Sequence, residues 1–445
     1  MMLEAVAAAD GIVTPESTMS GPHGPPSTGR QRGLPREAYK SEDTYRQTRL
    51  PVSLATTLIP DAYTSPDFHE LELERVFGTS WVAACPTSEV ARPGDAFAFT
   101  VGRASVFVVR GVDGIVRAFH NVCRHRGTQL VDEGTIHVKR FFRCPYHSWA
   151  YGLDGACLGT PLFEGSEIPE SEQHIFDMGD AKEFDRADYG LLPLRTETWG
   201  CLIFVNLDPD GPPLADELGD LPKRLAGYGL DEWQVARRNV YEIEANYKLV
   251  GENFMEYYHL PWVHPELVKV SPVKAHYRWQ GPGMYMGMTT TPIADDGESG
   301  GWIGLPPIDG LDESDRVSAR FAWIFPNLAV NALANHLFLM LARPVGPSHT
   351  SEATYLLVHP ESLQAAGAEA EIERLAAFWD SVNREDVDIV ERVQRGVSNP
   401  AYPGGRMCYR FEEPLHRYQN MIVDRMVGIR RIPGGDAVEQ APMFG

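Results

Sequence analysis

Apolar positions change their period several times along the 445-residue chain. From Thr64 to Phe77, the run TSPDFHELELERVF sets Phe68, Leu71, Leu73, Val76 and Phe77 behind a Ser-Pro start, which predicts a capped helix. Between Trp81 and Leu207, short β-rich runs (WVAAC, AFAFTV, SVFVVR, VRAFHNV, RFFRC, CLIFVNL) are separated by Gly-Asp, Val-Asp-Gly and Leu-Asp-Gly turns, which predicts an antiparallel β domain. A helical period returns from Glu369 to Gly396, where Leu375, Trp379, Val382, Ile389 and Val393 recur at 4-3-7-4. The missing member of that stripe is Asp386. A carboxylate in the middle of an apolar face has to be paired or metal-bound, because an isolated buried charge is costly. A core arginine or tyrosine would satisfy it, and so would a metal ion.

These patterns predict an α+β chain in four parts. Residues 1–45, rich in Pro, Gly and Ser between Thr18 and Glu37, are expected to be a mobile tail or an arm over a neighbour. Residues 46–80 form a helical lead-in that packs on the larger domain. The β domain spans 81–207, and residues 208–445, entered through the linker Asp208-Pro209-Asp210-Gly211-Pro212-Pro213, form a larger domain of helices and longer strands.

Charge narrows the function. With 61 acidic and 40 basic side chains the net charge is -21, which disfavours nucleic acid and anionic membranes as partners. No run approaches the roughly 18 to 20 apolar residues of a spanning helix. The N-terminus has no basic residue before Arg30 and lacks the charged start of an export signal, so the expected location is the cytoplasm. Six cysteines are too few for a disulfide scaffold, and a reducing compartment favours metal or cluster ligation for a paired motif.

One such motif exists. Cys123-Arg124-His125 and Cys144-Pro145-Tyr146-His147 lie on two short loops, each offering one thiolate and one imidazole. A zinc knuckle is one use of four such ligands. A binuclear cluster with both Cys on one iron and both His on the other suits the one-and-one distribution better. The segment also carries Arg124, Arg126, Lys139, Arg140 and Arg143 against Asp132 and Glu133, either a solvated hairpin or a docking patch for an acidic electron carrier.

A second constellation lies in GENFMEYYHLPWVHPE. His259 and His264 would point about 140° apart on an unbroken helix, but Pro261 disfavours helix at Leu260. His259, from a last helical turn, can then converge with His264 from a loop. Two imidazoles and one carboxylate, with Asp386 as the candidate, leave open positions on a non-heme Fe(II) ion.

Cys123-Arg124-His125-Arg126-Gly127, Cys144-Pro145-Tyr146-His147-Ser148-Trp149, the run Asn253 to His259 with His264, and Glu385-Asp386-Val387-Asp388 resemble the motifs of the Rieske non-heme iron oxygenase large subunits. The resemblance implies an N-terminal Rieske domain holding a [2Fe-2S] cluster on Cys123, His125, Cys144 and His147. It also implies a catalytic domain of helix-grip type with mononuclear iron on His259, His264 and Asp386. A homotrimer is implied in which the cluster of one subunit feeds its neighbour's iron through Glu256. Arene dioxygenases carry Asp at that bridge. A Glu resembles the branch acting on quaternary ammonium compounds, which implies monooxygenation of a C–H next to nitrogen in a betaine-like substrate, with O2 and two electrons. Tyr258, Tyr285, Trp323 and Phe325 are available for an aromatic box around such a cation. The chain has no dinucleotide fingerprint, so NADH would act through a separate flavin-dependent reductase or ferredoxin. The alternatives are an aromatic-ring-hydroxylating oxygenase of the same family and a cluster-only electron-transfer protein.

Overall fold

Two seven-stranded antiparallel sheets dominate the computed structural model, which describes residues 32–161, 184–291 and 305–435. The first sheet runs Val82–Pro86, Leu202–Asn206, Pro193–Trp199, Val116–His120, Ala104–Arg110, Asp95–Val101, Gly134–His137 in spatial order. A three-stranded sheet, Phe141–Arg143, Ala150–Gly152 and Cys157–Gly159, carries the second Cys-His loop beside it. His137, outside the ligand spacing, bonds Asp95 at 2.7 Å.

The second sheet contains β1 (Gln234–Ile243), β2 (His276–Trp279), β3 (Tyr285–Thr290), β4 (Ala319–Ile324), β5 (Leu328–Ala332), β6 (Leu337–Gly346) and β7 (His349–Val358), in the order β1-β7-β6-β5-β4-β3-β2. Three helices position the site: α1 (Pro66–Arg75), α2 (Tyr247–Phe254) and α3 (Ala368–Val397). The Ser65 hydroxyl accepts the Phe68 N–H at 3.3 Å and so caps α1, with Pro66 at its first position. The long α3 lies on the second sheet, Trp379 stacked on Phe338 of β6 with ring centroids 4.6 Å apart. No described helix is long and apolar enough to cross a membrane.

The pattern along α3 differs from the expected stripe. Its buried positions are Ile372, Leu375, Trp379, Asn383, Val390, Gln394 and Val397, whereas Val393 is 42% exposed. Steps of three, four and four average 3.67 residues per turn and follow a straight helix, while a heptad stripe drifts off its face by about 20° every seven residues. Position 386 belongs to both patterns.

Two boundaries also differ. Within the stretch expected to be a mobile tail, residues 32–45 are folded down: short 3-10 turns at Arg36–Lys40 and Glu42–Tyr45 bury Tyr39 and Tyr45 completely. Tyr39 donates to Asp61 at 2.9 Å, and Tyr45 donates to the Tyr39 carbonyl at 2.7 Å. Two buried tyrosines supply the apolar area that the Pro/Gly-rich part lacks. Residues 1–31 lie outside the described residues. The 208–213 linker is a packed turn, its Pro212 carbonyl accepting from the Trp81 indole at 2.9 Å and Asp208 pairing with Arg430.

One apolar core runs through the lead-in, the first sheet and the second domain. Tyr39, Phe68, Phe97, Val106, Tyr247 and Trp323 all belong to it. Beneath α2 it encloses an ion pair between Lys248 Nζ and Glu72 at 2.9 Å, both essentially inaccessible to water. The lead-in is thereby bonded to the helix that leads into the histidine pair.

Candidate active site

The two Cys-His loops share one backbone turn. The Cys123 N–H donates to the Thr128 carbonyl at 2.8 Å and the Gly127 N–H to the Cys123 carbonyl at 3.0 Å; Cys144 with Trp149 and Ser148 with Cys144 repeat this at 2.8 and 3.1 Å. The fourth residue after each cysteine has positive φ, +75° at Gly127 and +59° at Ser148, the only such non-glycine among the described residues. The histidine sits two residues after the cysteine in the first loop and three in the second.

Both cysteines are buried and both histidines only half-buried. His125 stacks on Trp149 at 5.0 Å, and the His125 and His147 centroids are 4.6 Å apart. The Tyr151 hydroxyl lies 3.2 Å from Cys123 Sγ and accepts the Arg124 N–H at 3.0 Å. Burial pushes the Cys123 thiol up. At Cys144 the N–H groups of Tyr146 and His147 outweigh burial and hold the thiol below its usual range. Two buried thiols and two half-buried imidazoles on paired turns fit the donor set that would hold a [2Fe-2S] cluster.

Among the described residues, His259, His264 and Asp386 are the one group of potential metal ligands whose donor atoms all lie within 4.8 Å. Asp386 Oδ1 is 2.9 Å from His264 Nε2 and 3.6 Å from His259 Nε2. Among the described residues no arginine or tyrosine is bonded to Asp386; the Asn253 amide donates to it at 2.6 Å. Two imidazoles and a carboxylate converging on one side fit a non-heme ferrous ion.

The backbone reaches this convergence differently from the expected way. Helix α2 ends at Phe254, so His259 does not belong to its last turn. His259 instead precedes a new four-residue turn, Leu260–Val263, which Pro261 helps to start, and His264 leaves that turn at φ -120°, ψ 67°. Proline lacks an N–H, so it suits the opening of a turn, where that group is unpartnered anyway.

Each histidine has its own carboxylate behind it. His259 Nδ1 bonds Glu256 Oε1, while Glu256 Oε2 accepts the N–H groups of Tyr258 and, at 3.2 Å, of His259. His264 Nδ1 bonds Glu385 Oε2 at 2.6 Å. Burial lowers the proton affinity of His264, but Asp386 and Glu385 reverse this and raise it above its usual value. With Nδ1 held by a carboxylate, each ring offers Nε2 to the metal side. Asn253 and Glu385 lay inside motifs the sequence displayed without a role; the signal for Glu385 was its place beside the apolar-face aspartate.

A cavity of about 100 Å³ opens on this group, lined among others by Phe254, Phe321, Phe338 and Trp379. None of the four aromatics expected to box a cation lines it. Tyr258 is 42% exposed, Tyr285 bonds Asp220, and Trp323 and Phe325 are core residues. Phe321 and Trp323 share one face of β4, but the cavity reaches only Phe321; Trp323, two residues on, packs against Phe254 with ring centroids 5.9 Å apart.

Comparison with known proteins agrees with this architecture. Residues 80–170 match the Rieske [2Fe-2S] domain, and residues 230–428 match the ring hydroxylating alpha subunit (catalytic domain). The chain is 30% identical over 396 residues to the glycine betaine monooxygenase oxygenase subunit of Chromohalobacter salexigens, covering 82% of this chain and 84% of that protein. It is 30% identical over 362 residues to the chloroplastic choline monooxygenase of Spinacia oleracea, covering 80% and 75%. The crystal structure of the quaternary ammonium Rieske monooxygenase CntA superimposes with a TM-score of 0.71 at 24% identity, over 88% of this chain and 99% of that one, a likeness of fold. The chain belongs to the Rieske non-heme iron oxygenases.

Proposed function

We propose that the chain is the terminal oxygenase of a system that hydroxylates a C–H bond next to nitrogen in a small quaternary ammonium substrate. The observation that carries this is Glu256 on His259, a glutamate at the bridge position, above a cavity with four aromatic faces. Relatives named for glycine betaine and choline favour it over an arene substrate.

The cluster and the ferrous ion would together supply the two electrons that reduce one oxygen atom of O2 to water with two protons, the other atom entering the C–H bond. Cys123, His125, Cys144 and His147 would hold the cluster, and His259, His264 and Asp386 the iron. Glu256 and Glu385 orient the imidazoles, while Phe254, Phe321, Phe338 and Trp379 exclude water and face the cation. Hydroxylation at an N-methyl carbon gives an N-hydroxymethyl ammonium that loses the hydroxyl proton as its C–N bond breaks, releasing formaldehyde and a tertiary amine. Half-exposed His147 beside Arg126 and Tyr146 suits contact with a partner. The reading includes a homotrimer in which His147 of each chain approaches Glu256 of the next, a flavin-dependent reductase or ferredoxin carrying electrons from NADH, and a cytoplasmic location.

Iron analysis and product analysis test it together. Three irons per chain and oxidation of a methylammonium compound are expected. Two irons would leave only an electron carrier, and hydroxylated arene with no methylammonium turnover would overturn the substrate class.

A further inference from the structure

The cavity wall formed by the second sheet is one row of side chains across four strands. Met288 on β3 pairs with Phe321 on β4, Phe321 with Asn331 on β5, and Asn331 with Phe338 on β6. All four line the cavity, so a single amide sits between two phenyl rings. Asn331 is 2% exposed, and its Oδ1 has no hydrogen-bond partner. A buried acceptor left open is costly unless a ligand's donor meets it.

The other polar groups of the lining are engaged. The Asn383 amide donates to Glu352 at 2.7 Å, and Ser271 Oγ bonds Thr290 at 2.8 Å. His276 Nδ1 lies 3.0 Å from the Pro272 carbonyl, and burial takes this imidazole down to about 4, so it is neutral. Among the described residues no lysine or arginine lines the cavity, and its acidic side chains are Glu256 and Asp386.

A carboxylate tail entering here would lose its water and find no cation. A carboxylate also only accepts, and cannot satisfy Asn331 Oδ1. A hydroxyl can donate to that oxygen, or accept from the amide nitrogen if the amide turns over. We propose that the site is selective for a quaternary ammonium cation with an uncharged, hydroxyl-bearing tail, the hydroxyl bonding Asn331, and against zwitterions with a carboxylate tail. This rests on the quaternary ammonium reading and narrows it.

The test is calorimetric binding to the holoenzyme, with cluster and iron in place, of choline, glycine betaine and propyltrimethylammonium, which replaces the hydroxyl by a methyl group. Choline is expected to bind about tenfold or more tighter than either of the others. Asn331→Leu is expected to bring choline down to the propyltrimethylammonium level without weakening the latter, and Asn331→Ala serves the same comparison if the leucine variant does not fold. Glycine betaine binding as tightly as choline, or a choline preference that survives loss of the amide, would overturn the selectivity while leaving an ammonium oxygenase. Failure of all three cations to bind would overturn the quaternary ammonium reading itself.

Discussion

Glu385 Oε2 lies 2.6 Å from Nδ1 of His264, on the side of the ring opposite Asp386. The residue next to the candidate ligand on α3 thus holds the far side of another candidate ligand. Such a carboxylate fixes which nitrogen faces the metal and raises the basicity of the ring. Glu385→Ala is therefore expected to weaken ferrous binding by about 10- to 100-fold. Chelator competition measures this, and the visible spectrum of the cluster should not change. Unaltered iron affinity would show that the contact has no part in holding the ring.

Asp386→Ala removes a ligand rather than its support. The mononuclear iron and all turnover should be lost while the cluster remains, leaving two irons per chain. Asp386→Asn keeps the shape and one oxygen but not the charge, so it should bind iron weakly. Full iron content in the alanine variant would exclude Asp386 from the ligand set.

How far these residues were legible from sequence follows from the period of each element. Asp386 was found through a heptad that α3 does not keep: Val393 leaves the face and Asn383 and Gln394 enter it. Position 386 is common to the heptad and the eleven-residue pattern, so either stripe points to it. The Cys-His loops were legible because their ligand types and spacing are local. The cavity was not, since Met288, Phe321, Asn331 and Phe338 lie on separate strands and meet only through sheet register. Folding of residues 32–45 was hidden for a related reason: Tyr39 and Tyr45 join a core shared with residues far along the chain, among them Met421 and Ile422 of the C-terminal helix Glu413–Val427.

The Lys248–Glu72 pair predicts a large stability effect away from the chemistry. Lys248 Nζ lies 4.8 Å from the Tyr247 ring centroid, 5.4 Å from that of Phe68 and 5.5 Å from that of Tyr63, with Glu72 as the carboxylate bonded to it. Glu72→Gln leaves a buried ammonium without its bonded carboxylate, which should destabilise the fold by roughly 3 to 5 kcal/mol in denaturant unfolding. Replacing both together, Glu72→Leu with Lys248→Met, should be milder than the single change, because no unpaired charge remains. A loss under about 1 kcal/mol for Glu72→Gln would mean that water reaches the pair.

Stability should also fall as pH rises from about 4.5 to about 7 through Glu252. Burial raises this carboxyl from 4.5 to about 7, although the Gln419 amide at 2.9 Å and the Tyr63 hydroxyl at 2.8 Å both favour its ionised form. Between those two values the folded chain holds a proton that the unfolded chain has released, so the contribution is full below pH 4.5 and is lost as pH rises through about 7. The slope is at most about 1.4 kcal/mol per pH unit. Glu252→Gln should flatten the decline between pH 5 and pH 8 in unfolding measurements, because the amide cannot ionise. A variant whose stability falls as steeply as the parent's would assign the decline to other groups.

Glu256 separates binding from electron delivery. Both of its oxygens are engaged within the chain, one at His259 Nδ1 and the other at backbone N–H groups. Glu256→Gln keeps the length and one acceptor oxygen, which can hold His259 Nδ1 but not the backbone N–H groups as well, so the iron and the cluster should both stay bound. What disappears is the negative charge beside His259 on the proposed electron path from a neighbour's cluster. Under multiple turnover the rate should fall about 100-fold or more. A single turnover of enzyme reduced at both sites should still form product where the cluster's electron is slow to arrive, but with a lower yield per iron. Glu256→Asp draws the carboxylate back by one methylene and tests reach rather than charge. Should the glutamine variant turn over and couple oxygen to product like the parent, Glu256 would be an orienting residue for His259 and the electron route would lie elsewhere.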